Sequence, residues 1–114
     1  MHPLQPEVDF DHFAAVDLRV GRVVDVQPFP EARKPAWKIT VDFGELGQRR
    51  TSAQVVHYQR DELLGRLVVG AINLGAKRIA GFTSEFLVLG AVGEDDLVRL
   101  LHPDSGARPG DRIA

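Results

Sequence analysis

Apolar and polar residues alternate without interruption from Trp37 to Phe43, with Trp37, Ile39, Val41 and Phe43 spaced two apart and Lys38, Thr40 and Asp42 between them. A period of two places the first set on one face of an extended chain and the second on the other, which predicts a strand with a dry face and a wet one. Arg19 to Val26 predicts another strand, with Gly21 read as a bulge or bend inside it. Between them Pro28, Pro30 and Pro35 withhold backbone donors and impose a loop. Gln48 to Ala53 predicts a third strand after the turn Gly44 to Gly47. From Val55 to Leu64 the spacing becomes helical, and Gly65 stands where a helix takes a left-handed cap.

The second half is patterned differently. Leu67 to Leu74 and Phe86 to Val92 are apolar at nearly every position, and Leu97 to Leu101 is apolar except at Arg99. A strand apolar on both faces needs a cover on its outer side, and so small a chain has few elements to spare for one. A second copy of the chain is therefore expected, as a symmetric homodimer. Phe10, Phe13 and Val16 lie three apart, which predicts a short helix able to dock on the same surface. About five strands with a short helix after the third predict an all-β protein with a small closed barrel of the OB type. An SH3-like barrel or a split sandwich satisfies the periodicity as well. The expected organisation is one domain: an N-terminal extension over 1–16, a barrel over 17–92 and a C-terminal extension over 93–114.

The 114 residues fit one hydrophobic core, and no apolar run approaches the ~20 residues that a membrane-spanning helix requires. With no cysteine there is no disulfide, thiolate nucleophile or cysteine metal site. The first eleven residues carry three acids and no base, unlike a signal peptide, so a cytoplasmic location without membrane insertion is expected. Formal net charge is -2, but it is unevenly spread. Residues 33–93 hold nine Lys or Arg against five Asp or Glu, with doublets at Arg33-Lys34, Arg49-Arg50 and Lys77-Arg78. That middle segment is the one suited to an anionic or polar ligand.

Candidate binding residues follow from these placements. Gly70 to Gly90 sets Lys77, Arg78 and the turn Gly81-Phe82-Thr83-Ser84 between two apolar runs, so a rigid scaffold presents cations and an aromatic ring on a loop. Phe82 offers a surface for a base or an apolar side chain. Asn73 and Ser84 offer hydrogen bonds, to a ligand or to their own turns. Arg33 and Lys34 occupy the first long loop, where OB ligands commonly touch. Trp37 and Phe43 read as core, Gln54 as structural, and Glu85 as the partner of a nearby Arg or backbone amide. Catalysis is poorly served: Asp95-Asp96 sits in a turn, and His57 and His102 lie far apart without metal-ligand spacing. No enzymatic activity, metal or cofactor is expected.

Several motifs in order resemble the CsaA family of bacterial export-associated chaperones, within the tRNA-binding OB domains that also form the C-terminal appendage of methionyl-tRNA synthetases. They are D-L-R-V-G at Asp17 to Gly21, F-P-E-A-R-K-P at Phe29 to Pro35, V-D-F-G at Val41 to Gly44, S-A-Q at Ser52 to Gln54, N-L-G-A-K-R-I-A-G at Asn73 to Gly81 and S-E-F-L-V-L-G at Ser84 to Gly90. The resemblance spans Phe10 to the C-terminus and implies an OB barrel whose terminal extensions mediate homodimerisation. It also implies capture of unfolded preproteins for the Sec export components, with tRNA as an alternative ligand recognised by its shape. A partner domain for a synthetase is a third reading. Synthetase appendages tend to read N-L-x-P-R-K and S-E-G-M, whereas this chain has Ala76, Phe86 and Leu87 at the proline, glycine and methionine. Phe86 falls where the family groove begins. A groove made more apolar by these three residues favours a polypeptide over RNA.

Overall fold

The computed structural model describes residues 2–114, and its backbone follows the alternation closely in the first half of the chain. In order come α1 (Phe10–Ala14), β1 (Leu18–Pro28), β2 (Trp37–Asp42), a 3-10 turn at Gly44–Leu46, β3 (Gln48–Ala53), α2 (Arg60–Leu63), β4 (Leu67–Ala71), β5 (Lys77–Ile79), β6 (Phe82–Ser84), β7 (Leu87–Val88), β8 (Gly90–Val92) and β9 (Val98–Leu100). The main sheet is antiparallel, in the order β3-β2-β1-β4-β7, with two-stranded ribbons β5-β6 and β8-β9 beside it. The result is a nearly closed five-stranded barrel of the OB type.

The length of β1 makes that closure possible. Its first part pairs with β4, from Leu18 opposite Ala71 to Arg22 opposite Leu67, and its second with β2, from Arg22 opposite Asp42 to Pro28 opposite Trp37. The register slips between Val23 and Asp25, so the bulge lies there and not at Gly21. Gly21 has a packing role instead. A Cβ on it would overlap Val41 Cγ1 and lie 2.8 Å from Phe43 Cε1, so the bare backbone lets the core close over it. Gly70, across from Arg19, likewise receives the Phe86 ring, whose Cδ2 would lie 2.8 Å from an added Cβ.

The core gathers the dry face of β2 and its neighbours: Ile39, Val41, Phe43, Val23, Val26, Val68 and Phe86 are all buried. The Phe43 and Phe86 rings meet edge to face at 5.1 Å. On the far side of the barrel β3 meets the chain after β6. There Glu85 N–H donates to Arg50 O at 2.7 Å, and Thr51 Oγ1 donates to Phe86 O at 2.8 Å. The C-terminal segment covers the half of β1 that β2 leaves free: Val20 N–H donates to Asp111 O, Gly110 N–H to Val20 O and Ile113 N–H to Leu18 O.

Three expectations are revised. The helix after β3 is only Arg60–Leu63, because Val55 to Tyr58 forms a turn, and Glu62 then caps the start by accepting Gln59 N–H at 2.8 Å. Its buried Leu63 enters the main core. The run Phe86 to Val92 is not one strand, since β7 belongs to the main sheet and β8 to the ribbon with β9. Finally, α1 does not cover the apolar strands. None of its residues is buried, and Phe10 and Phe13 are 76% and 44% exposed, their rings tilted against each other at 6.0 Å.

Candidate ligand-binding face

The first long loop, 29–36, is apolar enough to anchor itself. Phe29, Ala36 and Phe82 are buried together in a second cluster, with Ala32 and Ile79 packed against it. Phe29 and Phe82 meet edge to face at 5.5 Å, which ties the loop to the β5-β6 ribbon. The ribbon reverses through Ala80 and Gly81, both at positive φ (47° and 81°), the two-residue geometry whose twist suits a tight hairpin.

Two cations lie on these rings. On the wet face of β2, Lys38 places Nζ 4.9 Å from the Phe29 centroid and 5.5 Å from that of Phe82. Arg50, opposite Thr40 on β3, places Cζ 4.9 Å from the Phe82 centroid. The negative ring face attracts each cation and restricts where it points without neutralising it, leaving its donors available to a ligand. The ion pairs Asp17–Arg19, Asp25–Arg60 and Asp95–Arg99 engage other cations.

Beside this cluster Pro28, Phe29, Pro30, Ala32, Pro35, Ala36, Trp37 and Val56 line a shallow groove of about 470 Å³, with Arg33 contributing its cation. Trp37 forms one wall because its indole Nε1–H donates to Tyr58 O at 3.1 Å, fixing the ring. A smaller depression of about 360 Å³ near α2 is lined by Glu62, Arg66, Leu67, His102 and Pro103.

The eight residues singled out from the sequence divide by exposure. Arg33, Lys34, Lys77 and Arg78 are exposed on the loop and on β5, and Arg78 Nη1 donates to Thr83 Oγ1 at 3.2 Å. Asn73 fastens the chain before β1: Oδ1 accepts Asp17 N–H at 2.7 Å and Nδ2 donates to Ala15 O at 2.8 Å. Ser84 is buried at the barrel seam, its hydroxyl 2.9 Å from that of Thr51. Phe82 belongs to β6 rather than to a loop and is 6% exposed, so it supports the cations from beneath. Phe86 is 4% exposed against Phe43, and it fills the core instead of making the groove apolar. Leu87 is exposed, and Glu85 accepts Arg50 N–H at 3.1 Å, the backbone partner expected of it.

Sequence reasoning missed Lys38 and Phe29 as site residues and named Arg50 only within the basic doublet Arg49-Arg50. Lys38 reads as the polar half of an alternating strand, and what sets it and Arg50 apart is the pair of rings brought beneath them by the loop and ribbon. Away from this face, the Arg99 guanidinium holds the Asp95 carboxyl down to about 2, helped by Leu97 N–H. No helix among the described residues is long and apolar enough to cross a membrane.

Comparison with known proteins places this geometry in context. Residues 18–112 match the family described as "Putative tRNA binding domain". Methionine--tRNA ligase 1 of Sorangium cellulosum is 43% identical over 112 residues, which is 97% of this chain and 16% of the ligase. The ligase of Methanosarcina acetivorans is 35% identical over 109 residues, 95% of this chain and 15% of that protein. The chain thus spans about a sixth of these curated relatives. Among solved structures, the CsaA chaperone protein from Picrophilus torridus superposes with a TM-score of 0.90 at 42% identity, covering 95% of this chain and 100% of that one. Chaperone CsaA from Bacillus anthracis str. Ames gives 0.91 at 42%, covering 96% and 100%.

Proposed function

This chain belongs to the tRNA binding domain family, and from that premise we propose that it is a non-catalytic binding module of the CsaA type, a homodimeric chaperone for extended segments of unfolded polypeptide. The observation that carries the proposal is the groove of about 470 Å³ beside Trp37 and Phe29, an apolar recess flanked by cations. It suits one large apolar side chain of an extended client. The likeness over whole chains to two chaperone structures supports the same reading. Burial of one such side chain contributes about 1.5–3 kcal/mol, so a single groove binds and releases readily. Two grooves in a homodimer raise the overall affinity by holding the second segment at high local concentration. In the cell such a module holds preproteins in the cytoplasm ahead of the Sec export components.

The second reading is tRNA binding, favoured by the six cations Arg33, Lys34, Lys38, Arg50, Lys77 and Arg78, carried by the loop, β2, β3 and β5. Such a face meets phosphates and recognises RNA by shape. Salt separates the readings. Fluorescence anisotropy of an unfolded apolar peptide and of a tRNA, each titrated over rising salt, is expected to show peptide binding that changes less than about threefold between 50 and 200 mM. An RNA complex using several phosphate contacts falls by orders of magnitude over that range. No detectable peptide binding, with tight and salt-sensitive tRNA binding, would replace the first reading by the second.

A further inference from the structure

The groove and the ring-held cations share one side chain. Phe29 lines the groove, and its ring also lies 4.9 Å from Lys38 Nζ. The next ring, Phe82, is 5.5 Å from Phe29 and carries Arg50 at 4.9 Å. An apolar recess is thus continued by two cations along the outer face of β2 and β3. Arg33 also lines the groove.

We propose that groove and cations form one composite subsite, which selects extended polypeptide segments in which an apolar anchor side chain is followed by aspartate or glutamate. The inference rests on the polypeptide reading above and specifies which clients it takes. An extended chain advances about 3.3 Å per residue, so with the anchor against Phe29 the following one or two residues pass Lys38, and the third comes level with Arg50. Charge complementarity then decides among segments of equal apolarity. The nearby acids do not cancel the cations: Asp25 lies 3.8 Å from Arg60, and Glu85 accepts Arg50's own backbone N–H. Glu31 is exposed in the loop, within seven residues in sequence of three bases, Arg33, Lys34 and Lys38. The cation–ring contacts lower the entropy lost when a carboxylate docks, because each cation is already confined. Segments with lysine at the same positions meet like charge and are disfavoured.

The test uses the full chain and labelled unstructured peptides with one central Leu, flanked on its C-terminal side by Asp, Asn or Lys. Near 50 mM salt the Asp peptide is expected to bind about tenfold more tightly than the Asn peptide, and the Lys peptide most weakly, with the spread shrinking toward 0.5 M as screening sets in. Lys38→Met keeps the aliphatic stem over the rings and is expected to abolish much of the Asp preference while leaving the Asn peptide's affinity within about twofold. Lys38→Glu with Arg50→Glu is expected to reverse the order, a gain that misfolding does not produce. Equal affinity for the three peptides would overturn the composite subsite and leave polypeptide binding standing. Equal losses for the Asp and Asn peptides in Lys38→Met would also overturn it, assigning Lys38 to structure alone. If no peptide binds while single-stranded RNA does, both the subsite and the polypeptide reading fall.

Discussion

At Gly70 the protein permits an aromatic ring to rest directly on its backbone. A methyl group there would lie 2.8 Å from Phe86 Cδ2 and 3.1 Å from Phe43 Cζ, and both rings are buried with no free side to retreat to. Gly70→Ala is therefore expected to cost about 1–3 kcal/mol of stability, read as a lower midpoint in urea with unchanged slope. A neutral effect would mean that the rings shift at no cost. Charge acts on a smaller scale at Asp95, where Arg99 Nη2 donates to Oδ2 at 2.8 Å. The folded carboxyl titrates near 2 instead of 3.8, so its contribution is present above the unfolded value and is lost as pH falls through that window. NMR titration of the Asp95 side chain is expected to find the low midpoint, and Arg99→Ala to return it toward 3.8. The pair is exposed and screened, so Arg99→Ala is expected to lower the unfolding midpoint only slightly at neutral pH, and not at all once the carboxyl is protonated.

Among the elements, legibility followed the distance over which the deciding interaction acts. β2 was readable because alternation is a property of neighbouring residues and β3 because it follows the turn Gly44 to Gly47, and the observed spans Trp37–Asp42 and Gln48–Ala53 match the expected ones to within a residue. The segment Val55 to Leu64 has helical spacing, yet only Arg60–Leu63 is helical, because Tyr58 is held elsewhere: its carbonyl accepts Trp37 Nε1–H and its hydroxyl accepts Leu100 N–H. Those partners are 21 and 42 residues away, beyond any local pattern. The same holds for Phe82 and Phe86. Their apolarity was plain, but their direction depends on the Phe29 loop and on the seam that Glu85 and Thr51 close. The basic doublets were found from charge alone, whereas Lys38 became notable, and Arg50 was set apart from Arg49, only once rings lay beneath them. The C-terminal segment was read as an extension, and it also completes the barrel, with Pro109 O only 2.5 Å from where a Gly44 Cβ would stand. Truncation before Arg108 removes the three backbone hydrogen bonds to β1 and should cost about 2–4 kcal/mol, seen as a lower thermal midpoint. An unchanged midpoint would show the tail to be an appendage.

For the whole molecule the unresolved physical demand is apolar surface. Leu87, Val92, Leu97 and Leu101 on and around the β7 to β9 region are exposed, as are Leu4, Val8, Phe10 and Phe13 at the N-terminal side. Scattered single residues would need no explanation, but these fall in two stretches of chain, 4–13 and 87–101, that the barrel leaves exposed. The total surface is 7787 Å², of which a stable interface would take about 800 Å² from each copy, roughly a tenth. A second copy, as in the proposed homodimer, would meet that demand, and symmetry would let one patch serve both partners. Light scattering at micromolar concentration is accordingly expected to give twice the 12.6 kDa chain mass. Phe10→Asp with Phe13→Asp removes two apolar contacts and places two charges where the partner would lie, while disturbing no buried side chain of the barrel. Its dimer dissociation constant is expected to rise at least tenfold, about 1.4 kcal/mol, with the thermal midpoint of dilute protein unchanged. If the dimer survives that variant but not Leu87→Asp with Leu101→Asp, the partner contacts the ribbon side and α1 is left for clients. A monomer in the unaltered chain would remove the two-groove affinity on which the chaperone reading depends, and tRNA binding by a single face would then be the stronger account.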